Sequence, residues 1–283
     1  MNARASESIK EAAKALFQSK SILIGAGAGM GVDSGLPDFR GKDGFWREYP
    51  HLRNRNIDFE EMANAAWFSE DPHFAWGFYG HRLNLYRSSK PHRGFTLLQK
   101  WIRTLELESF VFTSNVDGHF QKSGFAEDFI YECHGSIFHL QCHSGCGQGI
   151  WPVSESFHIE LDHENVHARN PLPSCPSCHG LARPNILMFG DFYWDSKRTS
   201  EQEREMEKWL RAHGTSELFV LEIGAGLSIP TVRMTCEREW KTSGGFFLRV
   251  NPRDHLVPAG AHSVAIGAEA TLCAIEQKMS FVD

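Results

Sequence analysis

The sequence predicts an α/β fold in which a parallel sheet, covered by helices, is interrupted by a helical segment and by a smaller module. Two observations predict it. Short apolar runs that end in glycine or asparagine occur near both ends of the chain, as they do in open parallel sheets whose strand ends form a ligand crevice. Four cysteines in two close pairs lie in the middle of the chain. We therefore expect a Rossmann-like sheet domain that carries an inserted metal-binding module.

The individual elements follow from the spacing of apolar residues. Helices are predicted where these recur every three or four positions, at residues 5–19, 59–105 and 201–211. Strands are predicted where short apolar runs end in turn residues, at residues 21–24, 110–113, 218–223 and 246–250. The predicted division gives the Rossmann-like domain residues 1–40, 87–137 and 190–283, the helical segment of a small domain residues 41–86, and the cysteine-containing module residues 138–189.

The composition argues against several classes of protein. The net charge is −6 and no long basic run occurs, so we expect no direct contact with nucleic acid. No apolar run approaches the roughly 18 residues that span a bilayer, and the amino-terminal stretch lacks an apolar signal core. We therefore expect no membrane partner and a cytoplasmic location. Three cysteines outside the pairs, Cys133, Cys236 and Cys273, are predicted to be structural thiols.

The paired cysteines have the spacing of a zinc site. Cys142 and Cys146 are followed, after 28 intervening residues, by Cys175 and Cys178. Four thiolates in two short knuckles suit a tetrahedral structural zinc, which has no open position for chemistry and serves to fold its module. Two neighbouring histidines leave a site of three cysteines and one histidine as an alternative. A zinc ribbon that binds nucleic acid is a second alternative, against which the acidic net charge argues.

The loop after the first predicted strand carries glycines at alternate positions from Gly25 to Gly31. Glycines at a strand end let the backbone approach a pyrophosphate, so a nucleotide fits here. The dehydrogenase spacing G-x-G-x-x-G is not met, because Met30 or Val32 stands where the third glycine is required. A hydride-transfer enzyme is therefore disfavoured. A tight turn that binds nothing is the alternative for this loop taken alone.

Three motifs in order carry a resemblance to a known family. Residues 27–40, G-A-G-M-G-V-D-S-G-L-P-D-F-R, resemble the first signature of the sirtuins. Residues 113–118, T-S-N-V-D-G, resemble the second signature, and His134-Gly135 resembles the catalytic H-G pair. Further similarity extends the resemblance from about Ser21 to Leu272. It implies that the sheet domain binds NAD.

The resemblance implies an NAD-dependent protein deacylase. Such an enzyme removes acetyl groups, or succinyl and malonyl groups, from lysines of acylated proteins, and it consumes NAD to release nicotinamide and O-acyl-ADP-ribose. His134 would accept a proton from a ribose hydroxyl, which suits a side chain whose pKa lies near neutrality. Asn115 would orient ribose and water, and Asp117 would hold the carboxamide of nicotinamide.

The cofactor-binding residues that the resemblance implies lie in the loops at strand ends. They are Gly27, Ala28, Gly29, Asp38, Phe39, Arg40, Asn115, Asp117, Gly224, Ala225, Gly226, Asn251 and Ala268. Phe39 would cover the reacting ribose, and its two neighbours would shape the loop that closes over NAD. The chain departs from the family pattern at Gly31, Ser114 and Ala225. Each departure removes a polar contact, so we expect weaker or altered NAD binding.

Two further motifs concern the substrate. Tyr79 and Arg82 form Y-x-x-R on one face of a predicted helix, where a hydroxyl and a guanidinium can bind a carboxylate. In sirtuins that remove acidic acyl groups this motif lines the acyl pocket, and Ala63 stands where a small residue makes room for the group. The resemblance therefore favours desuccinylation over plain deacetylation. Phe189 and Gly190 would pair with the substrate peptide as a β-strand.

Other functions share parts of this pattern. An NAD glycohydrolase or a protein ADP-ribosyltransferase would use the same crevice with a different nucleophile, and sequence separates these enzymes poorly from a deacylase. A non-catalytic sensor of NAD or ADP-ribose, with the zinc ribbon as an interaction surface, is the alternative from another class. The complete set of catalytic residues argues against a sensor.

Overall fold

A computed structural model describes residues 3–37, 42–162 and 166–280, without the side chains of residues 42 and 43. The described strands are β1 Ser21–Ala26, β2 Glu108–Thr113, β3 Ile130–Glu132, β4 Gly135–Cys142, β5 Ile150–Pro152, β6 Leu161–Asp162, β7 His167–Ala168, β8 Ala182–Ile186, β9 Leu218–Ile223, β10 Phe246–Val250 and β11 His262–Val264. The described helices are α1 Ala3–Gln18, α2 Lys42–Glu48, α3 Pro50–Asn54, α4 Phe59–Met62, α5 Trp67–Glu70, α6 Pro72–Ser88, α7 Arg93–Thr104, α8 His119–Lys122, α9 Lys197–His213, α10 Thr231–Ser243 and α11 Ala268–Met279.

The main sheet has six parallel strands in the order β11-β10-β9-β1-β2-β3. Its central strand β1 is buried along its whole length, because helices cover both faces. Ile22 and Ile24 face a core formed with α1, α7 and α11. Leu23 faces the opposite core, formed with α9 and α10. This three-layer arrangement confirms the predicted Rossmann-like domain.

The remaining elements build a second body around α6. An antiparallel sheet in the order β5-β4-β8 and the short pair β6-β7 lie beside helices α2 to α6. Their apolar side chains form one core, to which α6 contributes Phe74, Trp76, Phe78 and Tyr79. The indole nitrogen of Trp76 donates to the carbonyl of Ala182 at 2.9 Å, which fixes α6 against β8.

The predicted strands at residues 218–223 and 246–250 coincide with β9 and β10, and the run at residues 21–24 continues to Ala26. The helical region 59–105 consists of four helices, α4 to α7. Strand β4 begins at Gly135, so it crosses residue 137, where the predicted sheet domain ends. The division into segments remains a proposal. No described helix is long and apolar enough to cross a membrane.

Candidate active site

Four loops meet at the carboxyl edge of the main sheet. They follow β1, β2, β9 and β10, and the parallel register sets Ala26 beside both Thr113 and Ile223. Backbone hydrogen bonds join them, since the N–H of Gly27 donates to Ile223 at 2.9 Å and the N–H of Ser114 donates to Ala26 at 3.1 Å. The predicted residues Gly27, Ala28, Gly29 and Asn115 therefore lie in one crevice with Gly224, Ala225 and Gly226.

The glycine loop is packed tightly against the loop after β9. The N–H of Gly29 donates to the carbonyl of Gly224 at 3.1 Å, and Gly224 has a positive φ of 65°. A Cβ atom on Gly224 would lie 2.4 Å from the carbonyl carbon of Gly29 and from the nitrogen of Met30. Both glycines are thus required by the contact between the two loops, in addition to any contact with a nucleotide.

Asn115 faces this glycine loop directly. Its side-chain nitrogen donates to the carbonyl of Gly27 at 3.0 Å, and its backbone N–H donates to the hydroxyl of Thr113 at 3.0 Å. The amide group is therefore fixed in orientation, with its oxygen as the atom that can accept a hydrogen bond from a ligand or from water.

Asp117 lies deeper in the site and is 7% exposed. One carboxylate oxygen accepts from the backbone N–H of His119 at 2.9 Å. Burial raises the pKa of Asp117 to about 6, although the His119 hydrogen bond and the nearby charge of Arg82 lower it. The other carboxylate oxygen lies 3.6 Å from the place that a Cβ atom of Gly31 would occupy. Asp117 thus presents a buried acceptor toward the glycine loop.

His134 lies in the turn between β3 and β4, where hydrogen bonds to other segments fix its position. Its carbonyl accepts from the N–H of Leu187 at 3.0 Å. Burial lowers the pKa of its imidazole, and a hydrogen bond to the backbone of Ser114 opposes this effect. Gly135 is needed after it, because a Cβ atom there would lie 2.1 Å from the carbonyl oxygen of Asn185. His134 is therefore a neutral imidazole at pH 7, able to accept a proton.

Asn251 and Ala268 lie at the far side of the crevice. The amide of Asn251 donates to the carbonyl of Ala225 at 2.8 Å and accepts from the backbone N–H groups of Arg253 and Asp254, both at 2.9 Å. Its side chain thus organises the two loops. Ala268 begins α11 and is 3% exposed. The predicted residues Asp38, Phe39 and Arg40 lie outside the described part of the chain.

The predicted substrate residues lie on α6, in the loop after β8 and, for Ala63, directly after α4. The N–H of Phe189 donates to Ala63 at 3.0 Å and its carbonyl accepts from Ala65 at 3.2 Å. Phe189 is therefore already paired, whereas the backbone N–H and carbonyl of Gly190 have no partner among the described residues. Tyr79 and Arg82 are both buried, and the hydroxyl of Tyr79 has no hydrogen-bond partner in the described structure.

Two residues near this loop, Arg183 and Tyr86, have no role predicted from the sequence. Arg183 forms a buried ion pair with Asp191 at 2.5 Å, which anchors the loop that carries Gly190. Arg82 donates from Nε to the hydroxyl of Tyr86 at 3.0 Å. Tyr86 follows Tyr79 by seven positions, so helical spacing was the signal that could have identified it. The ion pair had no such signal, because its partners lie on a strand and in a loop.

The four paired cysteines converge as predicted. Their sulfur atoms all lie within 4.8 Å of one another, and the Cys142–Cys178 and Cys146–Cys175 pairs are separated by 3.6 and 3.5 Å. Zinc–sulfur bonds of about 2.3 Å in a tetrahedron require sulfurs about 3.8 Å apart, so the cluster fits zinc. No histidine belongs to the described cluster, and the ring of His143 pairs with the hydroxyl of Ser69 at 3.0 Å. The all-cysteine site is thus favoured.

Comparison with known proteins agrees with this geometry. The Sir2 family model matches residues 27–220, more than half of the chain. An NAD-dependent protein deacylase of Candida albicans is 30% identical over 220 residues, covering 65% of this chain and 69% of that protein. One from Leptospira interrogans serogroup Icterohaemorrhagiae serovar Lai is 31% identical, covering 83% and 82%. The NAD-dependent protein deacylase sirtuin-5, mitochondrial, of Danio rerio is 32% identical, covering 68% and 63%.

Solved structures give the same fold. A crystal structure of a Sir2 homolog–NAD complex superposes with a TM-score of 0.69 at 23% identity, covering 96% of this chain and 94% of that one. A structure that describes the mechanism and regulation of Sir2 enzymes also gives a TM-score of 0.69, at 22% identity, covering 98% and 99%. The family match over residues 27–220 and the 31% identity to the Leptospira interrogans relative show that the chain belongs to the Sir2 family, the sirtuins.

Proposed function

We propose that this sirtuin-type enzyme removes acyl groups from protein lysines in a reaction that consumes NAD and yields nicotinamide and O-acyl-ADP-ribose. The observation that carries the proposal is the arrangement at the carboxyl edge of the sheet. Asn115 donates to Gly27 and Asp117 approaches Gly31, while His134 is hydrogen-bonded to the backbone of Ser114, the residue beside Asn115. The relatives named as NAD-dependent protein deacylases support it.

The crevice has the groups that NAD requires. Residues 27, 29 and 31 are glycines and the side chain of Met30 is buried in the core, so the backbone of this loop can lie close to a pyrophosphate. The oriented oxygen of Asn115 can accept from a ribose hydroxyl or from water, and the buried carboxyl of Asp117 can accept from a carboxamide. The departures at Gly31, Ser114 and Ala225 each omit a polar contact, so we also propose that NAD is bound more weakly than in relatives with polar residues there.

The protonation states suit the proposed roles. NAD, when bound, supplies the ribose carbon to which the acyl oxygen bonds as nicotinamide leaves. Because burial lowers the pKa of His134, its imidazole is neutral near pH 7 and can take a proton from a ribose hydroxyl. Asp117, with a pKa of about 6, is mostly charged at the same pH. It can hold an N–H donor firmly, since hydrogen bonds to buried charged groups are strong.

The loop at Gly190 supports a peptide substrate. Its unpaired backbone N–H and carbonyl can pair with an extended peptide, as in β-strand addition. Asp191 accepts from Arg183 and from the backbone N–H of Tyr193 at 3.3 Å, so the loop is held before any substrate arrives. These groups favour a deacylase over an NAD glycohydrolase, which has no use for a peptide groove.

The residues near α6 support an acidic acyl group such as succinyl or malonyl. Tyr79 carries a buried hydroxyl without a partner, and Arg82 lies beside it with its guanidinium carbon 5.8 Å from the ring centre. A buried unsatisfied hydroxyl next to a cation suits a carboxylate ligand. Ala63 is the small residue beside the substrate loop. Similarity to a relative named sirtuin-5 agrees with this preference.

The test is an assay of purified protein with NAD and lysine peptides that carry acetyl, succinyl or malonyl groups. Mass spectrometry would follow deacylated peptide, nicotinamide and O-acyl-ADP-ribose. We expect nicotinamide release that depends on an acylated peptide and is fastest with an acidic acyl group. Nicotinamide release without peptide would indicate a glycohydrolase, and ADP-ribosylated protein a transferase. Binding of NAD without any product would indicate a sensor.

A further inference from the structure

Three polar residues of α6 share one face of the helix. Tyr79, Arg82 and Tyr86 follow at spacings of three and four, which aligns them along a single stripe. All three are buried, with exposed fractions of 1%, 7% and 5%. The guanidinium carbon of Arg82 lies 5.8 Å from the ring centre of Tyr79 and 5.4 Å from that of Tyr86. The buried guanidinium therefore lies close to both tyrosine rings, and its carbon is also 5.2 Å from the ring centre of Phe78.

The hydroxyl groups of the two tyrosines are incompletely satisfied. The hydroxyl of Tyr86 accepts from Nε of Arg82 at 3.0 Å, but no described residue accepts its own hydrogen. The hydroxyl of Tyr79 has no partner of either kind within the described ranges. Native proteins rarely leave buried polar atoms without a partner. Two tyrosine hydroxyls with a hydrogen to donate, on the same helix face as a guanidinium, match an anion that accepts from all three side chains.

We propose that Tyr86 is a third contact for the acyl carboxylate, together with Tyr79 and Arg82. The inference rests on the proposed deacylase function and extends it. The Tyr86 hydroxyl orients the guanidinium by accepting from Nε, and it donates its own hydrogen to the carboxylate. Because Nε is engaged with Tyr86, the carboxylate is received through the terminal nitrogens of Arg82.

The chemistry of the acyl group makes the role of Tyr86 selective. A succinyl or glutaryl group carries a terminal carboxylate that needs donors, whereas an acetyl group ends in a methyl. Loss of the Tyr86 hydroxyl therefore removes a hydrogen bond to a charged group only from acidic substrates. Such bonds change binding by about tenfold to a hundredfold.

The test compares Tyr86→Phe with the wild type on succinyl-lysine, glutaryl-lysine and acetyl-lysine peptides of one sequence. We expect kcat/KM for the two acidic peptides to fall by about tenfold to a hundredfold, mainly through a higher KM, while the values for the acetyl peptide stay within about twofold. Arg82→Met should have the same selectivity and a larger loss. The matched control is Tyr131→Phe, which removes a hydroxyl on β3 and should change neither activity.

Each outcome bears on a distinct claim. Equal losses on acidic and acetyl peptides, or unchanged turnover of the acidic peptides by Tyr86→Phe, would overturn the role of Tyr86 while leaving the deacylase function intact. Absence of turnover of every acyl-lysine peptide by the wild type would overturn the proposed function itself. Thermal unfolding of each variant, together with its activity on the acetyl peptide, reports whether folded enzyme is present.

Discussion

The carboxyl group of Asp117 is buried by the fold. The substitution Asp117→Asn tests how this buried charge affects the free energy of unfolding, separately from its role in the active site. The side chain is 7% exposed, and burial raises its pKa from 3.8 to about 6. The difference of about two pH units, at about 1.36 kcal/mol per unit, corresponds to roughly 3 kcal/mol. The charged form of Asp117 therefore destabilises the folded protein by roughly that amount at high pH.

The sign of the pH dependence follows from the raised pKa. Below pH 3.8 the carboxyl is protonated in both the folded and unfolded states. The folded protein then carries no buried charge at Asp117, and its stability is not reduced by this group. That stability is lost as the pH rises through about 6. Asparagine does not ionise, and its side-chain oxygen can still accept from the N–H of His119. We expect Asp117→Asn to be more stable than the wild type by roughly 1 to 2 kcal/mol at pH 5 and by roughly 3 kcal/mol at pH 8.

Urea unfolding of both proteins at pH 5, 6, 7 and 8 measures this difference, because the titration of all other groups largely cancels between them. NAD-dependent turnover should be lost in the same variant, so the substitution stabilises the fold and inactivates the enzyme. Asp128→Asn, which changes an exposed carboxylate, is the control and should follow the wild type. A stability difference that does not grow with pH would refute the reasoning.

Three further predictions concern other parts of the site. His134→Ala should abolish NAD-dependent peptide deacylation with little change in the urea midpoint, and deacylation that persists would contradict its role as base. Cys175→Ser should reduce metal content from one zinc per chain and destabilise the protein by several kcal/mol, whereas Cys273→Ser should retain zinc in elemental analysis. Gly224→Ala places a Cβ atom 2.4 Å from Gly29 at a positive φ, so we expect a loss of roughly 2 kcal/mol or more in unfolding free energy and weaker NAD binding by calorimetry. Unchanged stability would refute the steric argument.

The parallel strands were readily predicted because the interior of such a sheet is apolar on both faces. β9 and β10 are apolar except for Glu222 and Arg249, which pair with each other at 2.6 Å. The ends of both strands in the sequence are their ends in the structure. The cysteine knuckles were equally local, since each pair lies within five residues. Both patterns can be recognised from short stretches of sequence, without information about residues that are distant in the chain.

The antiparallel sheet of the second body was not predicted, for the opposite reason. β8 reads Ala-Arg-Pro-Asn-Ile and has no apolar alternation. Its polar residues are buried because each has a partner far along the chain or in a loop. Arg183 pairs with Asp191, and Asn185 donates to Gln141 at 2.9 Å. Sequence periodicity cannot identify a buried polar residue whose partner is supplied only by folding.

The sequence by itself determined which functional groups the site contains. These are the glycine loop, the motifs at Asn115, Asp117 and His134, and four cysteines at the spacing of a zinc site. These are properties of residue type and short spacing. Only the tertiary structure decided that Asp117 lies where burial raises its pKa, while burial lowers that of His134, and that Tyr86 contacts Arg82. A pKa and a hydrogen bond depend on which groups and how much water surround an atom, and those neighbours come from segments that meet only in the folded chain.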